Sequence, residues 1–283
     1  MKMTLTPLDS PLWEVYRGAY GNVREEVAIL AGPEKDAPEV GRLRRLDTAE
    51  KSDFQVAFDN LCENLSHQMT FYEAIYLALP YMVKLLSRKI AENDFTWQVN
   101  IFSEIGCCLA TDIPNQRSQE FETAMPPEIL ESYQAAILRL QEYAKKFVLN
   151  NADKIGALPE WDREFLLVGL LGVFGNHALA SILILSDDNN CGLACPNCDF
   201  YDDESYLDDP DFQAAIETLP TEPWDGQSFD QPQVWLPALL AKLGGSEKLN
   251  PELLPYYFGN FTCPECGHQA PLLEFAQNCY FGD

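Results

Sequence analysis

The sequence predicts an all-α fold carrying a small, non-helical excursion near its C-terminus. Three observations lead there. Apolar residues recur at helical intervals in paired segments up to about residue 187. Prolines and short polar stretches separate those segments. Beyond residue 190 the texture changes to cysteine knuckles, acidic runs and scattered prolines. The chain therefore divides into a helical domain, 1–187, and a cysteine-bearing acidic region with two helices, 188–283, packed on the first. Apolar residues make up 47% of 283 residues, enough to bury a sizeable core.

Elements follow in order. Pro7, Pro11, Pro33 and Pro38 break any long helix in the first 50 residues. Leu12–Tyr16 reads as a short strand or a helical turn. The run Arg42-Leu43-Arg44-Arg45-Leu46 precedes a helix start near Thr48, with clear periodicity from Asp53. There, Phe54, Ala57, Phe58, Leu61, Cys62 and Leu65 share one face. Thr70 followed by Glu73 has capping-box spacing, so a second helix is expected from Thr70 to Arg88, with Pro80 kinking it or starting a new turn. A third is expected over Phe95–Ala110. Pro126-Pro127-Glu128 opens a long fourth, because early helical N–H groups need no partner. Another opens at Pro159, where Glu160 and Asp162 suit the positive N-terminal end.

Phe165–Leu185 is apolar and long enough to test as a membrane span. Gly175-Asn176-His177 interrupts it, no basic cluster flanks it, and Asp187-Asp188 follows at once. Two buried antiparallel helices are expected instead, and no membrane. Val234–Leu243 and Pro251–Phe258 read as later helices, and Cys191–Tyr206 as a knuckle on a short hairpin. Successive helix pairs are about 35 to 50 residues long, the size of HEAT-type units, which predicts an irregular HEAT-like superhelix.

The strongest chemical signal is Cys195-Pro196-Asn197-Cys198 paired with Cys263-Pro264-Glu265-Cys266, with 64 residues between. Each turn offers two thiolates, and two such turns make a tetrahedral S4 cage suited to Zn²⁺. A redox CxxC needs only one pair. The excursion is thus expected to resemble a zinc ribbon around a structural zinc, because a closed cage leaves no position for substrate. Cys191, His268 and Cys279 are possible substitute ligands. Cys62, Cys107 and Cys108 lie in apolar helical segments and read as packing residues.

Charge is lopsided. The net charge is −25, and residues 164–283 carry 2 basic against 19 acidic side chains. That field disfavours nucleic acid, whose phosphates are bound mainly by Lys and Arg. It suits a basic protein partner. The expected partner face comprises Asp202, Asp203, Glu204, Asp208, Asp209 and Asp211, with Tyr201, Tyr206 and Trp224 as aromatic anchors. Two alternatives stand beside this protein-binding module. One is a hydrolase-like enzyme with His67, Glu73 and His177 in a cleft between helices. The other is a zinc-ribbon nucleic-acid binder. His67 alone, at a helix junction, reads as a hydrogen-bonded structural residue, and no nucleophile elbow or phosphate-cradling glycine loop is present in the sequence. Lys2 and mixed polar residues follow Met1 without an apolar run, and nine cysteines is an odd number. Both features predict a reducing, cytoplasmic setting.

Asn64-Leu65-Ser66-His67-Gln68-Met69-Thr70-Phe71-Tyr72-Glu73-Ala74, continuing to Leu79-Pro80-Tyr81-Met82, resembles a motif of bacterial HEAT-like helical repeat proteins. Those read N-L-x-H-Q-x-T-x-Y-x-A, then a proline and an apolar helix. Some members carry a C-P-x-C-G knuckle near the C-terminus. The second knuckle here has that form, ending in Gly267, whereas the first has Asp199 in place of glycine. The resemblance is carried by residues 54–90 and by the knuckles. It implies an α-helical superhelix and a protein-binding role, and some relatives look like immunity proteins that neutralise toxins.

Overall fold

Periodic apolar faces become helices wherever a cap and a breaker bound them, and the chain is mostly helical, about 60%. The computed structural model describes residues 2–33, 51–112, 116–186, 190–219, 223–246 and 249–282. The expected Arg42–Leu46 run and helix start at Thr48 lie outside the described residues. The chain forms two compact units, 1–144 and 145–283.

In the first unit, Leu12–Val15 (α1) is a helical turn and Arg24–Ala31 (α2) is a helix that the flanking prolines concealed. Val27 and Leu30 bury its inner face, and Glu25 and Glu26 sit in its first turn. Asp53–Leu65 (α3) starts at Ser52, whose hydroxyl accepts from the Gln55 N–H at 3.1 Å. The expected face is buried: Phe54, Ala57, Phe58, Leu61, Cys62 and Leu65.

The next helix departs from expectation. The Thr70–Glu73 capping box is not made, and Ile75–Ala91 (α4) begins five residues later. Gln68 (φ 51°) and Met69 (φ 57°) are both left-handed, and Thr70 is extended. Thr70 thus stands outside the helix, whose N-cap is Ala74. Pro80 lies within α4, where it is buried. Phe95–Ala110 (α5) matches its expected bounds, capped by Asp94, which accepts from the Trp97 N–H at 3.1 Å. Gln116–Ala124 (α6) follows, then Pro127–Gly156 (α7), within which the division between the units falls. α2 packs on α3 and α4, and α5 packs on α3 and α4. Lys89, 3% exposed, lies over the Trp97 ring at 5.4 Å with Asp94 and Glu92 at 3.4 and 3.1 Å. A buried ammonium is tolerable only with such partners.

In the second unit, Glu160–Val173 (α8) and His177–Leu185 (α9) flank Gly175, whose φ of +81° ends the first helix. No helix among the described residues is long and apolar enough to cross a membrane, and α8 and α9 pack on each other. Leu193–Ala194 (β1) pairs antiparallel with Tyr201–Asp202 (β2). Pro210–Ala214 (α10) leads to Ile216–Glu217 (β3), then Pro232–Leu243 (α11) and the short Leu254–Tyr257 (α12). Asn260–Thr262 (β4) and Gln269–Pro271 (β5) complete a sheet of order β3-β4-β5, with Ile216 opposite Phe261 and Phe261 opposite Ala270. Leu272–Phe281 (α13) closes the chain and packs on α9, α12, β1 and β5. That packing ties α9 to the cysteine-bearing hairpins. Helices α8 and α9 supply apolar surface that the cysteine-bearing hairpins, with strands of two or three residues, lack.

Candidate metal centre

Each cysteine pair sits at the tip of a two-stranded hairpin, and the two tips are built alike. In the first, the Cys195 N–H donates to the Phe200 carbonyl at 2.9 Å. In the second, the Cys263 N–H donates to the His268 carbonyl at 2.8 Å. Both bonds span five residues, so each loop is pinched at the same place. Proline after the first cysteine fixes φ and suits the turn. Gly267 takes φ +73°, a conformation that glycine adopts without steric cost. Asp199, at the matching place of the first knuckle, is not among the residues with positive φ. The two loops therefore reach the same hydrogen bond by different backbone routes.

The four thiols meet. Cys195 Sγ lies 3.7 Å from Cys266 Sγ, and Cys198 Sγ lies 3.7 Å from Cys263 Sγ. All four sulfurs are within 4.8 Å of one another. A tetrahedral ion with thiolates at about 2.3 Å sets its ligands about 3.8 Å apart, so the two 3.7 Å pairs already have nearly the edge length such an ion requires. Cys195 and Cys263 face inward at 4% and 1% exposure, and Cys266 is exposed. The group can hold a metal ion and, among the described residues, is the one cluster of its kind.

Backbone and side-chain donors point at the sulfurs. The Asn197 N–H donates to Cys195 Sγ at 3.4 Å, and the Asn197 side-chain amide donates to Cys266 Sγ at 3.6 Å. The His268 N–H, and then Asn197, hold the Cys266 thiol down to about 6. Burial pushes Cys195 up. At Cys198 the Phe200 N–H favours the thiolate, but burial and the neighbouring thiols outweigh it and push the group up to about 12. In the metal-free chain at neutral pH, Cys266 is thus the thiolate of these three, while Cys195 and Cys198 keep their protons.

Capture of a divalent ion must then displace at least those two protons. Affinity should rise at least about a hundredfold per pH unit near neutrality, since each displaced proton contributes about tenfold per unit. Chelator competition at pH 6.5 and 7.5 measures this, and a flat affinity would contradict the assignment of thiolate ligands.

The substitute ligands stand apart. Cys191, His268 and Cys279 do not belong to the four-sulfur group. Cys191 is buried, which pushes its thiol up to about 12. Cys279 lies against the Tyr201 hydroxyl. His268 contributes its backbone to the second knuckle, and its ring rests 6.0 Å from that of Phe275. Cys62 and Cys108 are buried on α3 and α5, as packing residues are.

The acidic residues divide by role. Asp203, Glu204, Asp208 and Asp211 are exposed. Asp202 is spent on its own turn, accepting from the Glu204 N–H at 2.9 Å and the Ser205 hydroxyl at 2.7 Å. Asp209, also exposed, caps α10, accepting from the Asp211 N–H at 2.8 Å. Tyr201 and Tyr206 are 61% and 41% exposed. Trp224 has a more defined surrounding. Its indole N–H donates to the Ser228 carbonyl at 2.6 Å, its ring meets Phe229 edge-on at 5.3 Å, and Lys242 lies over it at 5.6 Å. It is half-buried within its own unit.

The residues of the hydrolase-like alternative have other company. His67 bonds Glu63 at 2.6 Å and the Tyr20 hydroxyl at 2.8 Å. Glu73 precedes α4, its carbonyl accepting from the Tyr76 N–H at 3.1 Å. His177 is the first residue of α9. Sequence reasoning missed Asn197 as a donor to sulfur and Tyr20 as a partner of His67. The first was visible as the one amide inside a knuckle. The second joins positions 47 residues apart, and no local pattern announces it.

No family model, curated protein or solved structure matches this chain.

Proposed function

We propose that this chain is a non-catalytic protein-binding module, stabilised by one structural Zn²⁺, that presents an acidic face to a basic protein partner. The observation that carries the reading is the four-sulfur cluster, all within 4.8 Å of one another and two pairs 3.7 Å apart. Zinc is the ion of choice because it accepts four thiolates tetrahedrally and brings no redox chemistry. A closed S4 shell leaves no site for substrate, so the metal holds shape. Its part is to fix the hairpin that carries Tyr201, Asp203 and Glu204.

The second support is charge. Glu164 to Ala241 contains no Lys or Arg, and Asp203, Glu204, Asp208 and Asp211 are exposed beside Tyr201 and Tyr206. Such a face repels nucleic acid and speeds encounter with a cationic protein. The resemblance at Asn64–Ala74 supports placing the helices in a HEAT-like superhelix and the partner among toxins, for example a nuclease whose phosphate-binding groove would be covered. Nine thiols, all free, suit a reducing cytoplasm.

Affinity capture from the native host, run with the wild type and with a D203K/E204K/D208K variant side by side, tests this. A basic protein should be retained by the wild type, lost on charge reversal, and released by salt as the Debye length falls to about 3 Å near 1 M. Capture that survives both changes would refute the acidic face.

A further inference from the structure

We propose that the four cysteines are also an oxidation site, at which a hydroperoxide replaces the metal by two disulfides joining the hairpins crosswise, Cys195 to Cys266 and Cys198 to Cys263. The inference rests on the structural-zinc reading and adds a regulation to that same site.

Geometry sets the pairing. Both 3.7 Å contacts run between hairpins, from the first cysteine of one knuckle to the second cysteine of the other. A disulfide sets its sulfurs about 2.05 Å apart, so each pair has to close by roughly 1.7 Å. Asn197 holds the first pair from both sides. Its backbone N–H donates to Cys195 Sγ, and its side-chain amide donates to Cys266 Sγ on the other hairpin.

Exposure then divides each pair. Cys195 and Cys263, the first cysteines of their knuckles, are buried, whereas Cys266 is exposed and Cys198 is half-buried. Each pair thus has one sulfur that a small oxidant can reach and one shielded from it. Metal-bound sulfurs are deprotonated, and the thiolate is the form that oxidises. A reachable thiolate beside a second sulfur yields a disulfide, because its sulfenic acid condenses with that neighbour.

Cys266 Sγ attacks one oxygen of the hydroperoxide. An S–O bond forms, the O–O bond breaks, and hydroxide or alkoxide leaves. Cys195 Sγ then attacks the Cys266 sulfur. The S–S bond forms, the S–O bond breaks, and hydroxide leaves. Two electrons have passed from the sulfurs to the peroxide. Cys198, attacked in turn by Cys263, repeats the sequence with a second peroxide. No thiolate is left to hold Zn²⁺, whose own oxidation state is unchanged. A dithiol reverses both bonds by exchange and is itself oxidised to a disulfide.

The crosswise pairing decides what becomes of the fold. A Cys195–Cys198 or Cys263–Cys266 bond would close only its own turn and leave the hairpins unlinked. The crosswise bonds join residues 71 and 65 positions apart, and the constraint on the chain grows with the length of the closed loop. The hairpin that carries Tyr201, Asp203 and Glu204 therefore stays fixed after the metal has gone.

The test takes purified full-length protein, counts its zinc, and treats it with hydrogen peroxide before alkylation of the remaining thiols. Cleavage after Glu265 separates Cys263 from Cys266, and fragment spectra tell Cys195 from Cys198. Two peroxides per chain should release all bound zinc and give Cys195–Cys266 and Cys198–Cys263 as the main products. With limiting peroxide, Cys195–Cys266 should form first. A dithiol should restore the four thiols and zinc binding. Limited proteolysis should spare the oxidised chain over 190–271, where the chelated, reduced chain is cut. Disulfides within the knuckles, or Cys266 sulfinic acid without a disulfide, would overturn the proposal, while zinc counted at the start kept the metal reading intact. Protein free of zinc at the start would overturn the metal reading, and the exchange with it.

Discussion

Replacing Cys263 with serine is expected to strip the metal from the chain and unfold the two hairpins. Cys263 is the innermost ligand, 1% exposed, and sits where β4 ends. Losing an outer-shell partner of a metal typically costs ten- to hundredfold in affinity. Losing a ligand removes a metal–sulfur bond outright, so the drop should exceed a hundredfold. The consequence for folding is large because zinc binding to such sites carries about 10–16 kcal/mol at neutral pH, and that binding energy is folding energy. The strands concerned are two or three residues long, too short to stand without it. Limited proteolysis should therefore cut C263S within residues 190–271 while sparing the wild type under the same conditions. A serine variant that keeps stoichiometric metal and resists protease would show that Cys263 is not a ligand.

The second large effect is expected at Phe275. This ring is fully buried on α13 and meets Phe261 edge-on, with centroids 5.0 Å apart at 87°. Phe261 belongs to β4, two residues before Cys263. Phe275 also faces the His268 ring at 6.0 Å, so it underlies the second knuckle on both arms of its hairpin. F275A should destabilise the second unit by about 3–5 kcal/mol, combining lost transfer energy with an unfilled cavity. That corresponds to roughly 10–17 °C in Tm for a unit of this size. The metal should also be released more readily, because Cys263 loses the strand that positions it. Truncating the exposed Leu138, 58% exposed, should cost under about 0.5 kcal/mol and serves as the control. Thermal unfolding with and without chelator measures both effects. A Tm within about 2 °C of the wild type for F275A would contradict the role given to α13.

The metal centre was legible in the sequence because its chemistry is local. Two C-P-x-C turns advertise their ligands within four residues each, and thiolate preference for zinc needs no tertiary information. Helices α3, α5, α8 and α9 were legible for a similar reason, since their apolar faces and breakers lie within the segments themselves. What failed to show were features decided by distant residues. Strand β3 hides in an acidic, proline-rich stretch, and exists because Ile216 pairs with Phe261, 45 positions away. The capping box at Thr70–Glu73 has sound spacing, yet α4 starts at Ile75, beyond both residues. The contacts of Trp224 with Phe229 and Lys242 join residues on separate elements and leave no local pattern. Helix α13, Leu272–Phe281, was not among the two helices expected in this region.

The central claim is that four sulfurs from two hairpins hold one zinc ion. The direct measurement is elemental analysis of the purified protein combined with X-ray absorption at the zinc edge. The account predicts one zinc per chain and a shell of four sulfurs at about 2.3 Å. A folded protein that contains no metal and four freely titrating thiols at these positions would contradict it, and so would a zinc shell dominated by nitrogen and oxygen.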